Sequence, residues 1–434
     1  MWKRCGRAVG SRKLTAISLA LVFVILVGYV ALVYYPESAQ NSAYAASDEK
    51  AYSVNTTLVS ANTRFALDLF RELAAEDTNN NVFISPLSIS MALAMTYNGA
   101  EGTTKDAMAK TLNFGNMTLE EISQDYSNLM ESLKNVDQAV KLLIGNSVWI
   151  KKEFEPTVKS SFLERVGTSY DSEMFTRDFG NPQTLSEING WVDKSTEGKI
   201  KDAINQIGPE IVMLLINAIY FKGEWVTRFD EAQTRKQDFF LPQGNTVSVD
   251  MMSTSGNFSY YSGENCQVAR LPYGRDKIAM YVFLPNEGVS LDSFIASLNQ
   301  TVLNEYISRL ESVGDLAVKL PKFKVEYGLK SLNSVLEKLG MGIAFEPSEA
   351  NFSGIASTAQ QNLYISYVDH KAIVEVNEEG TEAAAVTVVG IGQTTSLRHE
   401  PPSFVVDRPF FFEIRDDRSG SVLFMGKIAN PAET

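Results

Sequence analysis

The stretch "EVNEEGTEAAAVTVVGIGQTTSLRHEPP", Glu375 to Pro402, decides how the rest of the chain is read. Its first residues continue the alternation of "YVDHKAIVEV" (367–376), the pattern of a half-buried β-strand. Gly380, the three alanines Ala383–Ala385 and a run holding Gly390, Gly392 and Thr394-Thr395 then supply almost no bulky anchor. Strong strand signal resumes only at "FVVDRPFFFEIRD" (404–416). A weakly anchored connection of about twenty residues is long for a compact domain, where such segments are either functional loops or linkers.

The surrounding composition is that of a globular protein: 434 residues, 44% hydrophobic and 21% charged. Net charge is −13, and Lys3, Arg4, Arg7, Arg12 and Lys13 put five positive charges ahead of residue 14, so the remainder sums to −18. Such a body is a poor match for nucleic acid or an anionic membrane surface. Cys5 and Cys266 are the two cysteines; they give no disulfide framework, and their pairing is not expected because an apolar segment separates them.

That segment, "LTAISLALVFVILVGYVALVYY" (14–35), is 22 residues without a charge behind a basic flank. Its length suits a membrane span of about 20 residues, with the basic flank on the cytoplasmic side. The alternative is a cleaved secretory signal, with the small residues Ala43 and Ala45 at the cut. Both readings export the body, extracellular or at the cell surface, and the protein meets a membrane only through residues 14–35. Five N-x-S/T sequons, at Asn55, Asn116, Asn257, Asn299 and Asn351, are compatible with a glycoprotein.

Residues 36–52 read as a linker, and 53–434 as one α+β domain, since no Pro/Gly/Ser-rich break interrupts them. Phe65, Leu69, Phe70 and Leu73 lie at helical spacing. "SPLSISMALAMTYNGA" (85–100) reads as a helix entered through Ser85-Pro86, apolar nearly all round and therefore buried. Shorter amphipathic helices follow near 104–112 and 119–133. "KLLIGNSVWI" (141–150) and "EIVMLLINAIYFKG" (210–223) are strand-like, with a helix carrying Trp191 between them. Several strands fill 237–285, helices are expected over 291–310 and 328–339, and a hairpin closes the chain.

An enzyme active site does not emerge. His370 and His399 are the two histidines; neither has a partner ligand at helical spacing, so no metal site is expected. His370 falls inside a strand pattern, and there is no G-x-S-x-G elbow. Phosphate-binding glycine spacings are absent, no cofactor is indicated, and the acid pair Glu378-Glu379 reads more simply as a solvated turn than as glycosidase chemistry.

Taken together, "NVFISPLSISMALAMTYNGAEGTT" (81–104), "INGWVDKSTEGKI" (188–200), "LINAIYFKGEW" (215–225), "LPKFKVEYGLKSLNSVLEKLGM" (320–341), "HKAIVEVNEEGTEAAA" (370–385), "DRPFFFEIRD" (407–416) and "LFMGKIANP" (423–431) resemble the serpin family of serine protease inhibitors and their non-inhibitory relatives. The resemblance implies three β-sheets, eight or nine helices and an exposed reactive loop, here about 380–402. It implies a monomer whose partner is a target serine protease, held as a covalent acyl-enzyme once the cleaved loop enters the central sheet. Non-inhibitory relatives act instead as binding or chaperone-like proteins.

The loop residues favour the inhibitory kind. An inserted strand alternates its side chains, which puts Thr381, Ala383, Ala385 and Thr387 on one face, all small and uncharged, and Glu382, Ala384 and Val386 on the other. The charge of Glu382 thus lies on the face that can stay wet, and no proline occurs before Pro401. With Glu378, Glu379 and Gly380 these residues form the implied hinge. The resemblance implies a cleaved bond fourteen residues past the hinge glycine, at Thr394-Thr395; counting back from "DRPF", as in short-looped relatives, implies Arg398-His399 instead. Ser85, Ser88, Asn217 and His370 match the family's shutter, and Trp225, Lys322 and Glu378 its breach at the top of the central sheet. The segment matching a heparin-binding helix, 119–135, carries Glu120, Glu121, Asp125 and Glu131 against Lys134, so a polyanion cofactor is not expected.

Overall fold

The computed structural model describes residues 54–134, 136–357, 363–381 and 402–433. The apolar segment 14–35, the linker, the hinge beyond Thr381 and both candidate bonds, Thr394-Thr395 and Arg398-His399, lie outside the described residues.

Asn55 opens the first helix, α1 (Thr56–Glu76), its side chain accepting a hydrogen bond from Thr57 N–H at 2.9 Å. After β1 (Val82–Ile84), Ser85 caps α2 (Pro86–Tyr97) by accepting from Ser88 N–H, with proline at the first helical position. Ten residues of α2 are buried, as its all-round apolar pattern predicts. Helices α3 (Gly102–Thr111) and α4 (Leu119–Lys134) follow, then β2 (Val140–Lys151), α5 (Ser160–Tyr170), β3 (Ser172–Arg177), α6 (Pro182–Ser195) and β4 (Met213–Glu224). Next come β5 (Arg235–Phe240), β6 (Thr246–Ser262), β7 (Cys266–Tyr273) and β8 (Ile278–Pro285). The stretch 291–310 is two helices, α7 (Leu291–Ser297) and α8 (Gln300–Ser308), because Asn299 starts a new helix by accepting from Val302 N–H. After β9 (Glu311–Pro321), the expected helix over 328–339 starts late: β10 (Phe323–Ser331) takes its first four residues, and the helix runs from α9 (Asn333–Leu336) into a π-helical turn, Glu337–Met341. The chain ends with β11 (Asp369–Val376), β12 (Gly380–Thr381), β13 (Ser403–Val405), β14 (Phe410–Asp416) and β15 (Ser421–Ile428).

The strands form two hydrogen-bonded ladders. One is six-stranded, in the order β10-β11-β12-β4-β2-β3. The other is nine-stranded, β1-β15-β14-β8-β7-β6-β9-β13 with β5 beside β6. Strand β6 is 17 residues long and slips register between Gly256 and Phe258. One end pairs with β5 and the other with β7, so the larger ladder is two sheets sharing a strand. With the six-stranded sheet these make three, and the described residues hold nine α-helices: an α+β serpin fold. The closing hairpin pairs β14 with β15 and lies inside the larger ladder, its phenylalanines Phe410, Phe411 and Phe412 fully buried. Strand β13 holds its edge by three parallel pairs with β9, Ser403 to Ala317 through Val405 to Lys319.

Candidate functional site: a split sheet and the turn above it

The six-stranded sheet is whole only at one end. Strand β12 pairs on one side with β4, Gly380 opposite Glu224 and Thr381 opposite Gly223, and on the other with β11, Val376 opposite Thr381. Among the described residues, no pairing joins β4 to β11 below these two positions. A cleft of about 960 Å³ takes its place, lined by β4, by 363–374 and by Ser85, Ser88, Ile89 and Ala92 of α2 and its cap. Strand β4 therefore presents unpaired backbone groups toward β11, an arrangement that proteins normally cover.

A tight turn, Asn377 to Gly380, closes the top. Asn377 Oδ1 accepts from the N–H groups of Glu379 (3.1 Å) and Gly380 (3.2 Å), and Asn377 N–H donates to Gly380 O (3.0 Å). The outward carbonyls of the turn are all taken. Asn377 O accepts from Trp225 Nε1–H at 2.9 Å, Glu378 O from Phe229 N–H at 2.9 Å, and Glu379 O from Trp225 N–H at 2.8 Å. Gly380 must be glycine: a Cβ there would overlap the Gly223 carbonyl oxygen and come within 2.8 Å of Glu224 Cα.

The predicted breach residues meet at this turn. Lys322 Nζ donates to Glu378 Oε2 at 2.9 Å and Thr234 Oγ1 to Glu378 Oε1 at 2.8 Å. Burial pushes the Glu378 carboxyl up, but the Lys322 and Thr234 hydrogen bonds outweigh it and hold the group below the usual glutamate range. Trp225 stacks on Tyr273, ring centroids 4.3 Å apart.

The predicted shutter residues all line the cleft, though not as one hydrogen-bonded set. His370 Nε2 accepts from Ser85 N–H at 3.1 Å, and Ser85 Oγ donates to Leu423 O at 2.8 Å. Burial lowers the His370 pKa to about 4, which keeps the ring neutral and Nε2 free to accept. Asn217 instead pairs with Asn146 across β2 and β4, its Nδ2 donating to Asn146 Oδ1 at 2.7 Å. Its own Oδ1 is buried without a partner. Asn146, Thr234, Phe229 and Tyr273 were not singled out in the sequence. Each acts through a partner distant along the chain, and only the aromatic ring before a Gly in "LPYG" (271–274) carries a local signal.

A family model, "Serpin (serine protease inhibitor)", matches residues 60–431. The chain belongs to the serpin family. Leukocyte elastase inhibitor A of Rattus norvegicus is 36% identical to this serpin over 86% of the present chain and 99% of its own. The crystal structure of tengpin, a thermophilic serpin in the native state, superposes with a TM-score of 0.77 at 33% identity, covering 88% of this serpin and 95% of tengpin. Thyroxine-binding globulin in complex with thyroxine superposes with a TM-score of 0.76 at 31% identity, covering 86% and 99%. The family is one of protease inhibitors, yet that last likeness is to a binding protein, so the fold alone does not separate the two kinds.

Proposed function

We propose that this serpin is an irreversible suicide inhibitor of serine proteases. The observation that carries the reading is the open slot between β4 and β11, with Gly380 and Thr381 already in strand register at its head. Continuing that register would set Ala383 opposite Phe221, Ala385 opposite Ile219 and Thr387 opposite Asn217, on the side of the buried Thr381. Glu382, Ala384 and Val386 would turn to the outer face. Only small, uncharged side chains would then enter the core, and Thr387 would lie between the Asn217 and His370 shutter positions.

In the proposed reaction the protease serine oxygen attacks the Thr394 carbonyl carbon. The Thr394–Thr395 bond breaks, the Thr395 amine leaves with the proton, and an ester joins Thr394 to the protease. Insertion over fourteen residues at about 3.3 Å each moves that ester about 46 Å, away from the place where it formed. The serpin is consumed rather than turned over, so it is not an enzyme. Arg398-His399 is the rival bond; its four additional residues add about 13 Å of slack, which would leave the ester less distorted. Thr394 points to a protease with a small or unselective primary pocket. On residues 14–35 we also propose that the body is exported, as a cell-surface or secreted monomer.

The test mixes the exported body with elastase-, subtilisin- and trypsin-like proteases and examines the products by denaturing electrophoresis. A detergent-resistant covalent complex is expected, with mass spectrometry of the released C-terminal peptide choosing Thr394 or Arg398. Clean cleavage without a complex for all three would overturn the reading in favour of a binding or chaperone-like role.

A further inference from the structure

One buried polar contact joins the head of the slot to the larger ladder. The hydroxyls of Tyr273 and Thr381 share a hydrogen bond of 2.7 Å, both fully enclosed. Tyr273 is the last residue of β7, with no exposed surface, and Thr381 is 2% exposed. The Tyr273 ring is fixed on two sides, stacked on Trp225 at 4.3 Å and edge-on to Phe221 at 5.0 Å. The backbone beside it has no spare room: a Cβ on Gly223 would come within 2.8 Å of Phe221 and 3.0 Å of Tyr273. The phenol is thus a rigid post aimed at the second residue of β12. Thr381 is the partner the structure gives that hydroxyl, so withdrawal of the strand would strand a buried polar group, which is unfavourable.

We propose that Tyr273 is the positioning residue for loop insertion, its hydroxyl holding Thr381 between β4 and β11 so that insertion starts from two seated residues. This rests on the inhibitory reading above. Starting from a seated pair matters because nucleating a new strand fixes backbone dihedrals before the ladder bonds that reward it have formed. The contact works as a race condition: the acyl ester either hydrolyses or is carried off, and a seated start shortens the second course. A hydroxyl at position 381 suffices for this; the threonine methyl does not take part in the bond.

The experiment uses the intact chain and three substitutions, Tyr273→Phe, Thr381→Val and Thr381→Ser. Phenylalanine keeps both ring contacts, valine keeps the shape of threonine, and serine keeps the hydroxyl. Amide hydrogen exchange over 377–381 reads the seating directly and needs no protease. Tyr273→Phe and Thr381→Val should each speed exchange there about three- to tenfold, the effect of one buried hydrogen bond. Thr381→Ser should stay near the parent, and the Phe/Val double variant should be no worse than either single one. With a protease that the parent traps, the number of inhibitor molecules consumed per protease should rise for Phe and Val and recover with Ser. The proposal is overturned if exchange over 377–381 changes less than twofold in Tyr273→Phe, if it rises equally throughout the protein, or if Ser behaves as Val. Should the parent trap no protease, the inhibitory reading falls, while the exchange arm still decides whether Tyr273 seats the strand.

Discussion

Acid should act on this protein through two buried groups of opposite sign. His370 titrates near 6.5 when unfolded but at about 4 in the fold, because burial disfavours its charge. Between those values the unfolded chain holds a proton that the folded one lacks, so stability falls as pH drops from 6.5 toward 4. The difference, about 2.5 units at 1.36 kcal/mol each, amounts to about 3 kcal/mol. Glu413 of β14 is fully buried and neither carboxylate oxygen has a hydrogen-bond partner. Burial, aided by Asp417, pushes its pKa from 4.5 to about 7, and the Arg415 guanidinium, 3.7 Å away, offsets this only in part. Here the folded state holds the extra proton: the stabilisation is full below 4.5 and is lost as pH rises through 7, again about 3 kcal/mol. Over pH 4.5–6.5 the two contributions oppose each other, and single substitutions should uncover them. Relative to the parent, Glu413→Gln should lose about 3 kcal/mol more on acidification, and His370→Gln should gain about as much. Urea unfolding of the uncut protein, followed by circular dichroism at several pH values, measures both; other carboxylates cancel in the differences. Difference profiles flat to within about 0.5 kcal/mol would refute the reasoning. Below pH 4 the protonated His370 also loses its acceptor for Ser85 N–H, and α2 should loosen from β11.

Three further outcomes are expected. Thr381→Arg places an unpaired charge at a position 2% exposed, which costs several kcal/mol; electrophoresis should show protease cleavage without a covalent complex, and normal trapping would contradict the proposed insertion. Lys322→Ala leaves the Glu378 carboxylate, 6% exposed, with Thr234 as its remaining side-chain donor; with the lysine itself half exposed, the loss should be about 1–2 kcal/mol in the urea midpoint, and no loss would dismiss the ion pair as a clamp. Cys266 is a buried free thiol whose pKa burial pushes well up, so mass spectrometry should find it alkylated by iodoacetamide only after unfolding; labelling of the folded protein would contradict its burial.

Much of this was legible in the sequence because it depends on local pattern. The all-round apolar α2, the obligate glycine at 380 and the closing hairpin each announce themselves in a few residues. Gly328–Ser331 misled because leucine- and lysine-rich text favours helix, whereas its partner is far away: Lys330 lies opposite His370 in the β10–β11 ladder, and long-range pairing overrides propensity. Asn146 was illegible for a similar reason. A polar residue within a strand reads as outward-facing until Asn217, 71 positions later, is found across from it. The site followed the same rule. The resemblance singled out Trp225, Lys322 and Glu378, which meet at the turn, but the carbonyl-by-carbonyl capture of the Asn377–Glu379 turn and the Tyr273 hydroxyl depend on which strands end side by side.

Under the proposed insertion mechanism, strand β13 would act as a clock. Thr381 lies in the split sheet, whereas Pro402 O accepts from Ala317 N–H at 2.9 Å and Ser403–Val405 pair with β9 on a different ladder. Phe404 is fully buried there against Tyr260. Cutting the connection frees one end at once. An uncut connection can fill the slot deeply only by drawing on its far end, and that means peeling β13 away. On the proposed insertion mechanism, how long the protein keeps its readiness would be a rate, governed by a short edge strand remote from the slot.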